Sequence, residues 1–167
     1  RFSTDEARTW SEPVVVIPDL TYNVLNNDRV IQTRRGRLIA PVSLHTTPDR
    51  KWTNRGSARC YLSDDEGKTW RRSRSVLECP DPNSSSGLQE PGVVELKDGR
   101  LLMFCRTALG HQYFSYSKDG GDTWSEPQSG TLASPLSPAS IERIPKTGDL
   151  LAVWNDHSAI PPELKGK

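Results

Sequence analysis

Polar side chains recur at equal distances from three glycines of predicted hairpins, and they are the residues in this sequence best suited to do chemistry. The glycines are Gly36, Gly99 and Gly148. The side chains at matching offsets are Glu90 nine residues before Gly99, Arg106 and Asn155 seven residues after Gly99 and Gly148, and His45 and His157 nine residues after Gly36 and Gly148. If the hairpins are equivalent, these groups gather at one end of the molecule. There they suit a small anionic, hydroxyl-rich ligand such as an acidic sugar.

Simpler interpretations of the same residues stay open. Glu90 and Arg106 could form a structural ion pair or lie solvated at a rim, and the histidines could serve only as hydrogen-bonding rim residues. Asp28 and Arg29 add an acid and a base at the same level. No pair of histidines has the spacing of metal ligands, so we expect neither a metal nor another cofactor.

An octet that recurs three times indicates how these residues are positioned. It begins at Ser3, Ser63 and Ser117 and follows the pattern S-x-D-x-[GA]-x-T-W, with Ala7 where the other copies have glycine. The aspartate can accept hydrogen bonds from backbone N–H groups further along a turn, and glycine permits a positive φ. The tryptophan offers a large apolar face to bury. The octet therefore predicts a tight turn between antiparallel strands, in which its aspartate has a structural role.

The hairpins and the octets together predict an all-β chain built from repeated sheets. Short apolar runs alternate with turn signals such as Asp98-Gly99 and Thr147-Gly148. We expect residues 1–24 to end one unit, 25–84 and 85–134 to form two complete units, and 135–167 to begin another.

The octet resembles the Asp box of the sialidase-type β-propellers with BNR repeats, in which it lies between the third and fourth strands of a blade. The resemblance implies a propeller of four-stranded antiparallel blades, six-bladed in the full protein, with about three blades present here. Propellers close with 4–8 blades, so we expect either a fragment of a longer protein or self-association with another copy.

Residues 90–106 resemble the sialidase segment that carries a catalytic glutamate and, after a hairpin, an arginine of the carboxylate-binding triad. By that resemblance Glu90 would polarise a tyrosine nucleophile and Arg106 would bind the carboxylate of the sugar. Asp28, or alternatively Asp49, would be the general acid, and Arg29 a second carboxylate ligand, although Arg29-Val30-Ile31 lacks the proline of the family motif.

Two parts of the family pattern have no match in this chain. The tyrosine nucleophile comes from a later blade, and Tyr22, Tyr61, Tyr113 and Tyr116 do not fit its setting. The third arginine of the triad also lacks a counterpart, so we expect this chain alone to lack a complete active site.

These observations favour a sialidase-like glycoside hydrolase that releases a terminal sialic or related acidic sugar with retention. A non-catalytic Asp-box propeller that binds glycans or proteins, and a hydrolase or lyase acting on another acidic sugar, are the alternatives. The balance of 22 Lys+Arg against 21 Asp+Glu argues against nucleic acid as a partner. No apolar run approaches the roughly 20 residues of a membrane span. The compartment is not readable, although the resemblance favours a secreted or periplasmic protein.

Overall fold

A computed structural model of the chain describes residues 1–159 and 161, and every regular element in that part is a β-strand. The strands are β1 (Asn23–Val24), β2 (Ile31–Gln32), β3 (Leu38–Thr46), β4 (Trp52–Ser63), β5 (Arg71–Arg72), β6 (Gln89–Glu95), β7 (Leu101–Arg106), β8 (His111–Ser117), β9 (Gln128–Ala133), β10 (Ser140–Arg143) and β11 (Leu150–Val153). The described part contains no helix that could cross a membrane.

The strands form three antiparallel sheets in which spatial order follows chain order. The first sheet has the order β1-β3-β4-β5, with β2 also paired to β3, the second has the order β6-β7-β8-β9, and the third is the pair β10-β11. The all-β class is therefore confirmed, and the stacked open sheets are those of a partial propeller. The sheets span residues 23–72, 89–133 and 140–153, while residue 160 and residues 162–167 of the predicted last unit lie outside the described residues. The division into blades stays a prediction.

Each of the three predicted hairpins joins two consecutive, paired strands of one sheet. They join β2 to β3, β6 to β7 and β10 to β11, and their glycines have φ values of 88° at Gly36, 86° at Gly99 and 73° at Gly148. These are left-handed conformations that glycine adopts without steric cost.

Each octet forms the same hydrogen-bonded turn. In the second copy Asp65 accepts hydrogen bonds from the backbone N–H of Thr69 at 2.9 Å and from its hydroxyl at 2.6 Å, and Ser63 Oγ accepts one from Gly67 N–H at 2.8 Å. The bonds from Thr69 lower the pKa of Asp65 to about 2, which keeps this carboxylate ionised. In the first copy Ala7 adopts a φ of 66°, a conformation that costs a residue with a β-carbon free energy.

Apolar side chains join the faces of neighbouring sheets. Ile39 and Leu62 of the first sheet pack with Leu101 and Met103 of the second, and Trp124 of the third octet closes this cluster. The three cysteines are free thiols buried in the same region, and burial raises the pKa of the Cys60 and Cys105 thiols. A second cluster joins Val94, Leu102 and Phe104 to Ala139 and Ile141 at the start of the third sheet. Both β6, through Val93 and Val94, and β7 contribute to the two clusters, so these two strands are held from both sides.

Candidate functional site

Glu90 and Arg106 meet at the end of the paired strands β6 and β7. Arg106 Nη1 lies 3.2 Å from Glu90 Oε2, and the two side chains are 23% and 21% exposed. The residues are 16 positions apart in the sequence, but the hairpin at Gly99 folds the strands that carry them back onto each other. The structure thus brings together the predicted base and the predicted carboxylate ligand.

A β-bulge places Glu90 in this position. Gln89 pairs with Arg106 and Gly92 pairs with Phe104, so that two residues of β6 lie opposite one residue of β7. Glu90 has a φ of 47°, a left-handed conformation that a residue other than glycine rarely adopts. Strain of this kind costs of order 1–3 kcal/mol and is found most often at functional sites.

One oxygen of Glu90 is unsatisfied in this arrangement. Glu90 Oε2 is buried and accepts no aligned hydrogen bond from the described residues, even though Arg106 Nη1 approaches it. A buried carboxylate oxygen without a donor is costly. It would be stabilised by a hydroxyl group brought by another part of the protein or by a ligand.

A small cleft opens beside this pair. Its volume is about 210 Å³, and its walls are Tyr22, Val24, His45, Trp52, Gln89, Glu90 and Arg106. Tyr22 and Trp52 are 59% and 64% exposed. The cleft therefore combines one guanidinium and one carboxylate with two accessible aromatic rings, a combination suited to a polar ligand that also has an apolar face.

His45 forms part of the cleft wall, and both of its ring nitrogens face other groups of the protein. Its Nδ1 lies 2.9 Å from the carbonyl oxygen of Thr53, which can only accept, so Nδ1 carries a proton. Its Nε2 lies 3.1 Å from Ser43 Oγ, and that hydroxyl also lies 3.0 Å from the carbonyl oxygen of Leu88. With 7% exposure, His45 joins β3 to β4 and to the residue before Gln89 rather than presenting a nitrogen to the cleft.

Arg29 and Asp28 lie on the other side of β6. Arg29 Nη2 donates to the carbonyl oxygen of Ala139 at 2.7 Å, and its guanidinium stands 5.4 Å from the centre of the Phe104 ring. Burial lowers the pKa of Arg29, while the nearby charges of Glu90, Glu142 and Asp28 oppose that shift. Asp28 is exposed and has a φ of 57°. Neither residue lines the cleft, although Arg29 is within electrostatic range of Glu90.

Asn155 and His157 also lie outside the cleft. The backbone N–H of His157 and the indole N–H of Trp154 both donate to the carbonyl oxygen of Ala133, at 3.2 Å and 3.0 Å. These bonds hold the segment after β11 against the end of β9, the strand of the second sheet farthest from β6. Asn155 is exposed there.

Gln89 is the polar residue of the cleft that the sequence did not indicate. Its Oε1 accepts hydrogen bonds from Arg106 Nε at 3.2 Å and from Arg106 Nη2, and its Nε2 donates to the carbonyl oxygen of Asn54 at 2.7 Å. The only signals were its place directly before Glu90 and across the hairpin from Arg106. Tyr22 and Trp52 were missed as cleft residues because they come from the first sheet, and no local pattern links them to Glu90.

No tyrosine hydroxyl within residues 1–159 and 161 donates to Glu90. Tyr61 is the most buried of the four tyrosines, and its hydroxyl donates to Asp19 at 2.6 Å, where burial raises its pKa to about 12. Tyr22 lies in the cleft wall with its ring centre 6.2 Å from that of His45. The same part of the chain holds no group of three or more His, Cys, Asp or Glu side chains arranged to hold a metal ion.

A larger groove lies at the opposite end of β7. It has a volume of about 460 Å³ and is lined by the hairpins and octet turns, including Gly99, Leu101 and Gly120. Two of its arginines are paired with carboxylates of the same groove, Arg37 with Asp64 at 2.6 Å and Arg100 with Asp98 at 2.7 Å. We regard the smaller cleft as the functional site, because within the part of the chain that the structure describes only this cleft has a guanidinium facing a carboxylate with a buried, unsatisfied oxygen.

Comparison with known proteins agrees with this architecture. A family model described as a BNR repeat-like domain matches residues 1–165. The solved Hadza microbial sialidase is 26% identical, with a TM-score of 0.65, over 86% of this chain and 27% of that protein. The intramolecular trans-sialidase from Ruminococcus gnavus, solved in complex with oseltamivir carboxylate, is 25% identical, with a TM-score of 0.62, over 90% of this chain and 31% of that protein.

A protein of unknown function from Dyadobacter fermentans shares the fold. It is 23% identical, with a TM-score of 0.69, over 90% of this chain and 42% of its own length. The chain thus spans between 27% and 42% of the lengths of these three solved proteins.

Proposed function

Because the chain belongs to the family of BNR repeat-like domains, we propose that its cleft binds the carboxylate of an acidic sugar and contributes to the active site of a sialidase-like glycoside hydrolase. The observation that carries this proposal is the geometry of Arg106. Its guanidinium is fixed by Gln89 on one edge, and its Nη1 faces Glu90 and the cleft. Two of the solved neighbours are described as a sialidase and a trans-sialidase, the latter holding a carboxylate ligand.

The charge and shape of the cleft support a sugar carboxylate. A guanidinium binds a carboxylate through two parallel charge-assisted hydrogen bonds, each about twice as strong as a bond between neutral groups. Partial burial of Arg106 strengthens this attraction relative to open water. The aromatic rings of Tyr22 and Trp52 give the apolar face of a sugar ring a surface to contact.

In the proposed reaction Glu90 accepts the proton of a tyrosine supplied by another part of the full protein. The tyrosine oxygen then attacks the anomeric carbon, while an acid from another part of the full protein protonates the leaving oxygen, since Asp28 lies outside the cleft. Water then displaces the tyrosine and releases the sugar with retained configuration. Arg29 adds a positive charge close to Glu90. Glycosidases with a tyrosine nucleophile are an exception to the usual pair of carboxylates.

A second candidate function is glycan binding without hydrolysis. It is favoured by one observation, namely that Arg106 Nη1 lies 3.2 Å from Glu90 Oε2, so that the two charges pair with each other. In that case Glu90 would be the counter-ion that orients Arg106, and the cleft would recognise an acidic glycan or an acidic protein segment without turning it over.

Turnover and binding measured on the same full-length protein separate the two candidates. The variants are Glu90→Gln and, as a matched control, Glu95→Gln at the other end of β6, where the glutamate pairs with Arg34. A hydrolase cleaves a fluorogenic sialoside, and Glu90→Gln lowers kcat by about 10²–10⁴ while Glu95→Gln does not. Binding of free sialic acid without turnover supports the second candidate. A wild-type protein that neither binds nor cleaves the sugar would overturn both.

A further inference from the structure

We propose that Gln89 is a positioning residue that occupies the side-on edge of Arg106, so that the cleft accepts a carboxylate only at the end-on edge formed by Nη1 and Nη2. This inference rests on the proposed function for the identity of the ligand. The side chain of Gln89 bonds to Arg106 and to the carbonyl oxygen of Asn54, so we assign it a role that acts through the arginine.

The amide of Gln89 has a fixed orientation. Its Nε2 lies 2.7 Å from the carbonyl oxygen of Asn54, and because a carbonyl oxygen can only accept, the amide nitrogen must face it. The amide oxygen is therefore turned toward Arg106, where it accepts hydrogen bonds from Nε and Nη2. With 4% exposure, Gln89 has no room to rotate without leaving a buried polar group unpaired.

The backbone just before Gln89 is anchored to β4. Leu88 N–H donates to the carbonyl oxygen of Gly56, and Gly56 N–H donates to that of Ser86, both at 2.8 Å. Close approach at Gly56 permits this contact, since an added β-carbon would lie 2.4 Å from Ser43 Oγ and 2.8 Å from the carbonyl oxygen of Leu88. Gln89 is thus held against the first sheet, and it fixes the position of the Arg106 side chain in the second sheet.

The side-chain amide of Gln89 is uncharged, and this matters as much as its position. Arg106 already faces the carboxylate of Glu90. A second carboxylate at position 89 would place the guanidinium between two negative charges and cancel its attraction for an anionic ligand. The amide instead supplies the acceptor that fixes the guanidinium and adds no charge.

Two substitutions of similar size separate the position of the amide from its charge. Gln89→Glu keeps the shape and the acceptor that faces Arg106, but it adds a charge and removes the donor to Asn54, whereas Gln89→Met keeps the approximate volume and removes both the acceptor and the donor. Gln128→Glu adds the same charge on the exposed outer strand β9 and serves as the control. Each protein is tested for sialoside turnover, for binding of free sialic acid, and for hydrogen exchange at the Arg106 Nε–H by NMR.

We expect Gln89→Glu to raise KM for the sialoside, and Kd for sialic acid, by about 10–100-fold, because the added carboxylate competes with the ligand for the charge of Arg106; this factor is about that of one hydrogen bond to a charged group. The value of kcat should change far less. Gln89→Met should speed exchange at the Arg106 Nε–H by at least about tenfold, and Gln128→Glu should leave all three measurements unchanged.

The outcomes distinguish this inference from the proposed function. Unchanged affinity in Gln89→Glu, or unchanged exchange at Arg106 in Gln89→Met, would overturn the role of Gln89. A wild-type protein that binds no sialic acid would overturn the proposed function instead, and the exchange measurement would still decide whether Gln89 positions the arginine.

Discussion

The substitution Gly92→Ala tests how closely packing supports the bulge that carries Glu90. Gly92 lies two residues after Glu90 on β6. A β-carbon built at this position would lie 2.2 Å from Cζ and 2.5 Å from Cε2 of Phe104, and 2.8 Å from Nη1 of Arg29. One added methyl group would therefore displace the ring and the arginine beside it.

The size of the effect follows from these distances. Carbon atoms pack at about 3.5–4.0 Å, so the Phe104 ring would have to retreat by more than about 1 Å. The ring is 2% exposed and belongs to the cluster that joins the second and third sheets. Overpacking of a core costs about 1–3 kcal/mol, and the reduced freedom of the unfolded chain returns about 0.4–1 kcal/mol. We expect a net loss of about 1–2 kcal/mol, which lowers Tm by about 2–8 °C in a domain of this size.

Thermal unfolding followed by near-ultraviolet circular dichroism measures this loss. Phe104→Leu removes the clashing ring atoms, so the double variant should be more stable than the sum of the single losses by about 1 kcal/mol. Gly99→Ala is the control, because its β-carbon would meet nothing within 4 Å and its loss should add to that of Phe104→Leu. A Gly92→Ala protein as stable as wild type, or equal coupling in both cycles, would refute the packing argument.

Three further substitutions test one octet turn and the side-chain hydrogen bonds of Tyr61 and Arg55. Burial raises the pKa of Asp119, but hydrogen bonds from Thr123 outweigh it and hold the value at about 2. Because this value lies below the ordinary 3.8, the stabilisation is complete above pH 3.8 and is lost as the pH falls toward 2. Asp119→Asn should therefore show a shallower fall of Tm across that interval, and equal slopes would contradict the assignment. Tyr61→Phe removes the hydrogen bond to Asp19 and should lower the free energy of unfolding in urea by about 1–2 kcal/mol, whereas a loss below 0.5 kcal/mol would show the bond to be unimportant. Arg55 donates hydrogen bonds to carbonyl oxygens of the loop at residues 79–84. Arg55→Gln should therefore speed amide hydrogen exchange in that loop by about tenfold or more relative to the rest of the chain. An equal change of the exchange rate throughout the chain would show that Arg55 does not stabilise this loop locally.

The octet turns could be predicted from the sequence because the hydrogen bonds that close each turn lie within eight residues. The serine, aspartate and threonine of each copy bond to one another and to the intervening backbone. A pattern of that kind needs no information about distant parts of the chain. The hairpins were accessible for the same reason, since glycine with a positive φ marks each of them.

The contact between Glu90 and Arg106 could be predicted from the sequence because one short hairpin joins the two strands that carry them. Its finer geometry was not accessible. The bulge between Gln89 and Gly92 changes which side chains of β6 face Arg106. No residue type in that segment indicates a bulge. The hydrogen bond from Gln89 to Asn54 joins residues 35 positions apart in the sequence and depends on how two sheets stack.

The three hairpins are equivalent in the sequence, and the structure shows where that equivalence ends. His45 lies in the cleft wall because β3 continues to Thr46, beside the end of β6. The chain after β11 is instead bonded to the end of β9, which keeps His157 and Asn155 away from Glu90. Equal spacing from a turn therefore predicts an equal height on a blade, but it does not predict which neighbouring strand the chain packs against.

A crystal structure of the full-length protein with bound sialic acid tests the central claim most directly. We predict that the sugar carboxylate lies within about 3 Å of Nη1 and Nη2 of Arg106, with Gln89 still bonded to Nε. Sialic acid bound elsewhere, for example in the charged groove beside Arg37, with Arg106 still paired only to Glu90 and Gln89, would contradict the account.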